Sequence, residues 1–300
     1  MLSMNSCSKL YFSSLSIALL CGFFSGAVSA TQNGVTSYPI GVDTVLNGLV
    51  PAVGQSYLYS YSQFYTASEL NDSDGKDSVP GFKLSAFAQA FKVAHTWGSS
   101  GNYTIGSFAV VTALSLSLHA AGDKDRDTGL GDTIVSPLIL GYQNPERGLF
   151  AYLSPVEFSL PTGNYSKNSL ANVGTERYAY MPNIDATWLS GNWELSSSVV
   201  FEVPFRNRSS DYKSGRSVNV DYLLGYSLSQ DWQVGLQGYS FRQVSDDRLG
   251  DERFFDGYRG KANASGPQVR YTIKPGVAIV AKYQKEFSVE NRPEGDKFWV

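Results

Sequence analysis

Thiols are almost absent from this 300-residue chain: its two cysteines are Cys7 and Cys21. Both fall in residues 1–30, which read as a secretory signal. Lys9 supplies a positive charge, 15–24 is mostly apolar, and Val28-Ser29-Ala30 offers small residues for cleavage between Ala30 and Thr31. The rival reading, a retained membrane anchor, suffers from a short apolar run broken by Ser16 and Gly22. A chain beginning at Thr31 has no thiol, so disulfides, zinc thiolates and iron–sulfur clusters are excluded, and no cofactor is expected. Basic tracts are missing too. Lys9 is the only charged residue of the signal, so the remainder carries 23 basic against 27 acidic residues, which makes nucleic acid an unlikely partner. Long hydrophobic runs are also lacking after Ala30: a spanning helix needs roughly 20 mainly apolar residues, and the best stretch, 108–118, is shorter and interrupted by Thr and Ser. A membrane crossing must therefore use strands.

What the chain has instead is alternation with a period of two, rich in Tyr, Phe, Val and Thr and bounded by Gly, Asn, Asp and Ser. Strands are predicted near 56–66, 82–97, 103–118, 131–142, 149–160, 178–189, 193–203, 217–228, 232–243, 267–272 and 277–289, with a twelfth beginning at Lys297 and cut short by the end of the sequence. Connectors alternate in length. Short ones at 98–102, 143–148, 190–192, 229–231 and 274–276 are separated by longer ones at 67–81, 119–130, 161–177, 204–216, 244–266 and 290–296. Outer-membrane barrels have short periplasmic turns and longer external loops, so this rhythm predicts an all-β, antiparallel transmembrane barrel of about twelve strands with both termini on the periplasmic side. Residues 31–55 are expected to be a periplasmic N-terminal segment and 56–300 the barrel.

Tryptophan placement supports this. Trp97, Trp188, Trp193 and Trp232 all adjoin short turns, as expected of a girdle at the membrane interface, where the ring is apolar and the N–H meets water. Within strands, Trp193, Leu195, Val199 and Phe201 alternate with Glu194, Ser196, Ser198 and Glu202, and similar alternation recurs around Asp221 and Lys282. A lipid-facing apolar skin over a polar lumen produces that pattern, and so does a soluble sandwich. Signal, girdle and connector rhythm favour the barrel. The candidate lumen-lining residues are Glu157, Asp185, Glu194, Glu202, Asp221, Arg270, Lys282 and Glu286. Their mixed signs admit two meanings, ion pairs that fill the barrel or groups that line a solute path, and filling is preferred for most.

Catalytic and metal motifs are weak. His95 and His119 belong at opposite barrel ends with no nucleophile motif beside either. Asp123-Lys124-Asp125-Arg126-Asp127 opens with calcium-loop spacing, but Thr128 stands where the turn Gly belongs and Ile134 where the closing Glu belongs, so a solvated external loop is expected. Gly129-Leu130-Gly131-Asp132 is followed by strand-like sequence rather than a helix, which excludes a phosphate cradle.

Several stretches in order resemble an outer-membrane family named for a phenol meta-cleavage degradation pathway, also called SphA-like. They are Asn33-Gly34-Val35-Thr36-Ser37-Tyr38-Pro39, Gly129-Leu130-Gly131-Asp132 with Pro137-Leu138-Ile139-Leu140-Gly141-Tyr142, Phe158-Ser159-Leu160-Pro161-Thr162-Gly163-Asn164-Tyr165, Gly266-Pro267-Gln268-Val269-Arg270-Tyr271, and Lys282-Tyr283-Gln284-Lys285-Glu286-Phe287 leading into Glu290-Asn291-Arg292-Pro293. The resemblance implies a barrel that admits aromatic or other hydrophobic compounds to a degradative pathway. It carries over no ligand residues. The expected partners are outer-membrane lipid, the barrel-assembly machinery and a small hydrophobic solute. The rival function is a structural or adhesive barrel whose 244–266 loop, mixing charges with Phe254, Phe255 and Tyr258, binds a surface partner.

Overall fold

In a computed structural model, which describes residues 35–300, twelve antiparallel strands close into a barrel. They are Ser56–Leu70, Lys83–Ser100, Tyr103–Ala120, Thr133–Asn144, Leu149–Leu160, Asn183–Ser190, Trp193–Pro204, Ser217–Ser227, Trp232–Gln243, Lys261–Lys274, Val277–Glu290 and Pro293–Trp299. Each pairs with its successor, and the last returns to the first through Gln63↔Trp299, Tyr65↔Lys297 and Leu70↔Pro293. Closure follows from the surroundings: hydrocarbon offers no hydrogen bonds, so an open edge would leave unpaired backbone groups costing several kcal/mol each. The signal and its cleavage site at Ala30 and Thr31 lie outside the described residues.

Alternation sorts the two faces. Leu195, Val199, Leu224, Leu236 and Ile184 are exposed on the outer wall, whereas Glu194, Ser196, Ser198, Glu202, Asn219 and Asp221 are buried toward the lumen. Trp97, Trp188, Trp193 and Trp232 are all exposed near the short-turn end. Trp193 packs on Tyr226 and Trp232 on Tyr271, with ring centroids 4.8 and 4.7 Å apart. His95 joins this belt, 4.2 Å from the Trp97 ring, while His119 stands at the opposite rim.

The 244–266 connector ends at residue 260, because the strand expected from Pro267 begins at Lys261; three further segments differ from expectation. The 119–130 stretch is not a loop: Ala121 and Gly122 take positive φ, and Asp123–Leu130 folds back as a strand along Ala113–Ala120. Both strands of 18 residues, Lys83–Ser100 and Tyr103–Ala120, exceed the roughly 9 to 11 residues that cross a bilayer, so they continue past the membrane as an arm. There Leu114, Leu116 and Leu118 face inward and Ser115 and Ser117 outward, the polarity of a strand in water. The 290–296 connector shrinks to a turn at Asn291 and Arg292, with Asn291 at φ 52. Its charges looked loop-like, yet Glu294 accepts from Asn71 at 2.7 Å and Asp296 from Tyr283, so the closing strand starts at Pro293 rather than Lys297. That strand remains short, at seven residues.

The third difference concerns 31–55, expected in the periplasm. From Val35 to Val50 the chain runs down the inside of the barrel, from the long-loop end to the short-turn end, before turning into the first strand.

Candidate functional site

An irregular segment inside a barrel has no ladder to join, so each of its N–H and C=O groups needs a side-chain partner from the wall. The sequence supplies those partners as lumenal carboxylates on neighbouring strands. Glu202 accepts from the Ser37 N–H at 2.9 Å, and Glu194 from the Leu46 N–H at 2.7 Å. Asp221 accepts from the Tyr38 hydroxyl at 2.7 Å and from the Gly41 and Asp43 N–H groups at 3.1 Å. Asp185 accepts from Asn47 at 3.1 Å, and Thr187 from the Gly48 N–H at 3.0 Å. Carbonyls are met by cations and amides. Lys282 donates to Gly41 O and Val42 O, each at 2.7 Å, and Gln284 donates to Gly41 O at 3.0 Å.

Two glycines let the segment come this close. A Cβ on Gly48 would meet Phe150 O at 2.3 Å and Thr187 N at 2.6 Å. Gly41, at φ +88, takes a backbone conformation that side chains disfavour, and a Cβ there would lie 2.6 Å from Gln284 Oε1.

All eight candidate lining residues face the lumen, and they divide by role. Asp185, Glu194, Glu202, Asp221 and Lys282 hold the segment directly. Arg270 pairs with Glu194 at 2.8 Å, neutralising it beside the segment. Glu157 accepts from Asn183 at 2.5 Å. Glu286 accepts from Tyr65 at 2.8 Å and from Tyr239, and pairs with Lys297 at 3.5 Å, bracing the closing seam. Filling is thus the commoner role, and what these charges chiefly fill the barrel with is the N-terminal chain.

The opposite wall is different in kind. Leu84, Ala86, Ala88 and Ala90 of one strand and Phe108, Val110, Leu114, Leu116 and Leu118 of the next face the lumen and leave a cavity of about 370 Å³ between themselves and residues 35–43. At its outer end the cavity is bounded by Asn172 to Thr175 and by Tyr258 of the 244–260 loop. The 161–177 loop is strapped over it by the Asp-rich strand: Asp125 accepts from the N–H groups of Leu170 and Ala171 at 2.8 and 3.0 Å, and Asp127 from Val173 at 2.9 Å. Asp132 accepts from Gly163 at 2.9 Å and from the Thr175 hydroxyl at 2.6 Å. The backbone N–H groups beside it hold the Asp125 carboxyl below the usual carboxylate range, Ala171 first among them. The alternate aspartates are therefore tethers for a loop.

Sequence reasoning missed the lumenal segment, the apolar wall and the lumenal Lys92 and Lys297. A signal for the first was present: lumenal carboxylates on adjacent strands outnumber the cations facing them, and buried carboxylates must find donors. The apolar wall is legible only once it is known that Leu114, Leu116 and Leu118 lie on the inner face.

A closed strand barrel with an outer apolar skin and an occupied lumen defines a transmembrane β-barrel of the outer-membrane type. The chain belongs to the family described as "Putative MetA-pathway of phenol degradation", whose model matches residues 67–300. Its fold is shared with an outer membrane channel of Pseudomonas putida F1, at 15% identity and TM-score 0.74 over 83% of this chain and 94% of that one. A FadL homologue of Pseudomonas aeruginosa aligns at 10% identity over 82% of this chain and 86% of that one, with a TM-score of 0.39, too low to carry an argument. No curated protein matches the chain.

Proposed function

We propose that this barrel is a channel that admits small apolar solutes, aromatic compounds among them, across the outer membrane. The observation that carries the reading is the largely apolar cavity beside the N-terminal segment, whose outer end lies under the long loops. Burying apolar solute surface there is favourable by about 25 cal/mol per Å², whereas a sugar would lose hydrogen bonds to water and find a side-chain donor on the Leu84 to Ala90 and Val110 to Leu118 faces at Thr112 alone. The family's name and the channel role of the Pseudomonas putida relative support the same reading. Onward passage requires the segment to shift, because it lies between the cavity and the acidic wall.

Liposomes containing the full-length barrel should admit phenol-like solutes faster than sugars of similar size. Equal permeability would refute the proposed selectivity. The adhesive alternative gains less: Tyr258 of the 244–260 loop lines the cavity, which ties that loop to the lumen.

A further inference from the structure

Lys92 stands on the lumenal face of the Lys83–Ser100 strand, following Ala86, Ala88 and Ala90 at alternate positions, and is the cavity-lining residue of that strand nearest the short-turn end. Its ammonium lies 4.3 Å from the centroid of the Phe108 ring and 6.0 Å from those of Tyr59 and Tyr152. Among the described residues it has neither an ion-pair partner nor a hydrogen-bond acceptor. The other lumenal lysines are engaged: Lys282 by two carbonyls of the segment and Thr44, Lys297 by Ile40 O, Tyr239 and Glu286. Aromatic faces attract a cation but leave its three N–H donors unmatched. Asp43 lines the same cavity, and its carboxylate accepts from the Tyr38 hydroxyl at 3.3 Å, which leaves further acceptor capacity.

We propose that Lys92 is the polar anchor of a solute site in this cavity, selecting a ligand with an apolar body and a neutral hydroxyl head, such as a phenol or a short alcohol. The head oxygen accepts from Lys92 and its proton is donated toward Asp43, while the body lies against Ala86, Ala88 and Leu114. A carboxylate head is disfavoured, because Asp43 lines the cavity with the same sign of charge and Asp185 and Asp221 lie behind the segment. The volume fits: a cavity of about 150 Å³ holds benzene, so about 370 Å³ accommodates a substituted ring with room to spare. The proposal rests on the apolar-solute reading and narrows it.

The test is calorimetric titration of the full-length barrel in detergent micelles with p-cresol, toluene and p-toluate, using wild type, Lys92→Met and Lys92→Arg. A hydrogen bond from a charged donor gives wild type about a tenfold preference for p-cresol over toluene. Lys92→Met should bring p-cresol down to the toluene level while leaving toluene unchanged, and Lys92→Arg should keep most of the preference. An unchanged p-cresol preference in Lys92→Met, equal binding of p-cresol and toluene by wild type, or p-toluate as the tightest ligand each overturns the anchor while leaving the apolar-solute reading intact. Binding of neither p-cresol nor toluene by wild type overturns both. Heat-modifiable gel mobility verifies that the variant barrels are closed, and Lys92→Gln replaces the Met variant if that one fails to assemble.

Discussion

The two walls of this lumen are built from the same strand geometry and do opposite things. From Asn183 to Phe287 many inward positions carry Asp, Glu, Gln and Lys, and the N-terminal chain lies against them with its backbone groups hydrogen-bonded. From Lys83 to Leu118 the cavity-lining positions are mostly Ala, Leu, Phe and Val, with Lys92 and Thr112 the polar exceptions, and a cavity remains between them and the chain. The chemistry of the inward residue decides which wall the segment adopts. A bare backbone gains hydrogen bonds on one side and would forfeit them on the other.

Removing the occupant tests this most severely. Deleting residues 35–48 should leave the strands paired but the acidic wall facing water, and single-channel conductance in planar bilayers should rise several-fold. Little change would mean the segment does not obstruct the path.

Replacing Asp221 by Ala should loosen the segment at its most heavily bonded point. The carboxylate meets Tyr38, Gly41 and Asp43, and loss of charged hydrogen bonds worth about 1.5 to 3 kcal/mol each should raise the amide exchange rates of residues 41–43 at least tenfold. Gly48→Val acts from the other direction, by pushing the chain off Phe150, and should produce similar exposure near the short-turn end.

Filling the opposite wall should spare the segment. Ala88→Trp would occupy the cavity, cutting uptake of apolar solutes in liposomes about fivefold to tenfold while leaving amide exchange of residues 41–48 unchanged. A coupled loss of segment protection would show that the two walls are not independent.

The smallest effect concerns the strap. Because hydrogen bonds from Ala171, Arg126 and Leu170 hold the Asp125 carboxyl low, its contribution to loop docking is complete above the ordinary carboxylate value of about 3.9 and is lost as pH falls through the lower folded value. Protease cleavage within 161–177 should accelerate below that pH in wild type. In Asp125→Asn it should be faster at neutral pH and nearly independent of pH.

Much of this was legible before any coordinates. Period-two alternation, the spacing of short turns and the four exposed tryptophans specify strand number and facing, since each is set locally by what a strand shows to lipid and to lumen. The inward direction of Glu194, Asp221 and Lys282 followed from the same parity. Residues 35–50 did not follow, because a chain without periodicity reads the same whether it lies in the periplasm or against carboxylates many residues away. Asp123–Leu130 and residues 293–296 read as loops because charge in a strand signals solvent unless the strand lies beyond the membrane or faces a polar lumen. The apolar wall was hidden for a related reason. At Leu114 and Leu116 the inner face is the greasy one, and alternation alone does not say where along a strand that reversal occurs.

The central claim is that a solute occupies the apolar side of the lumen while the N-terminal segment keeps the acidic side. Crystals of the full-length barrel soaked in 4-bromophenol test it through the anomalous signal of bromine. The account predicts a bromine peak beside Leu114 and Leu116, with residues 41–48 still bonded to Asp221, Glu194 and Asp185. A peak between the segment and those carboxylates, or a segment displaced from them by a ligand on the acidic wall, would contradict it.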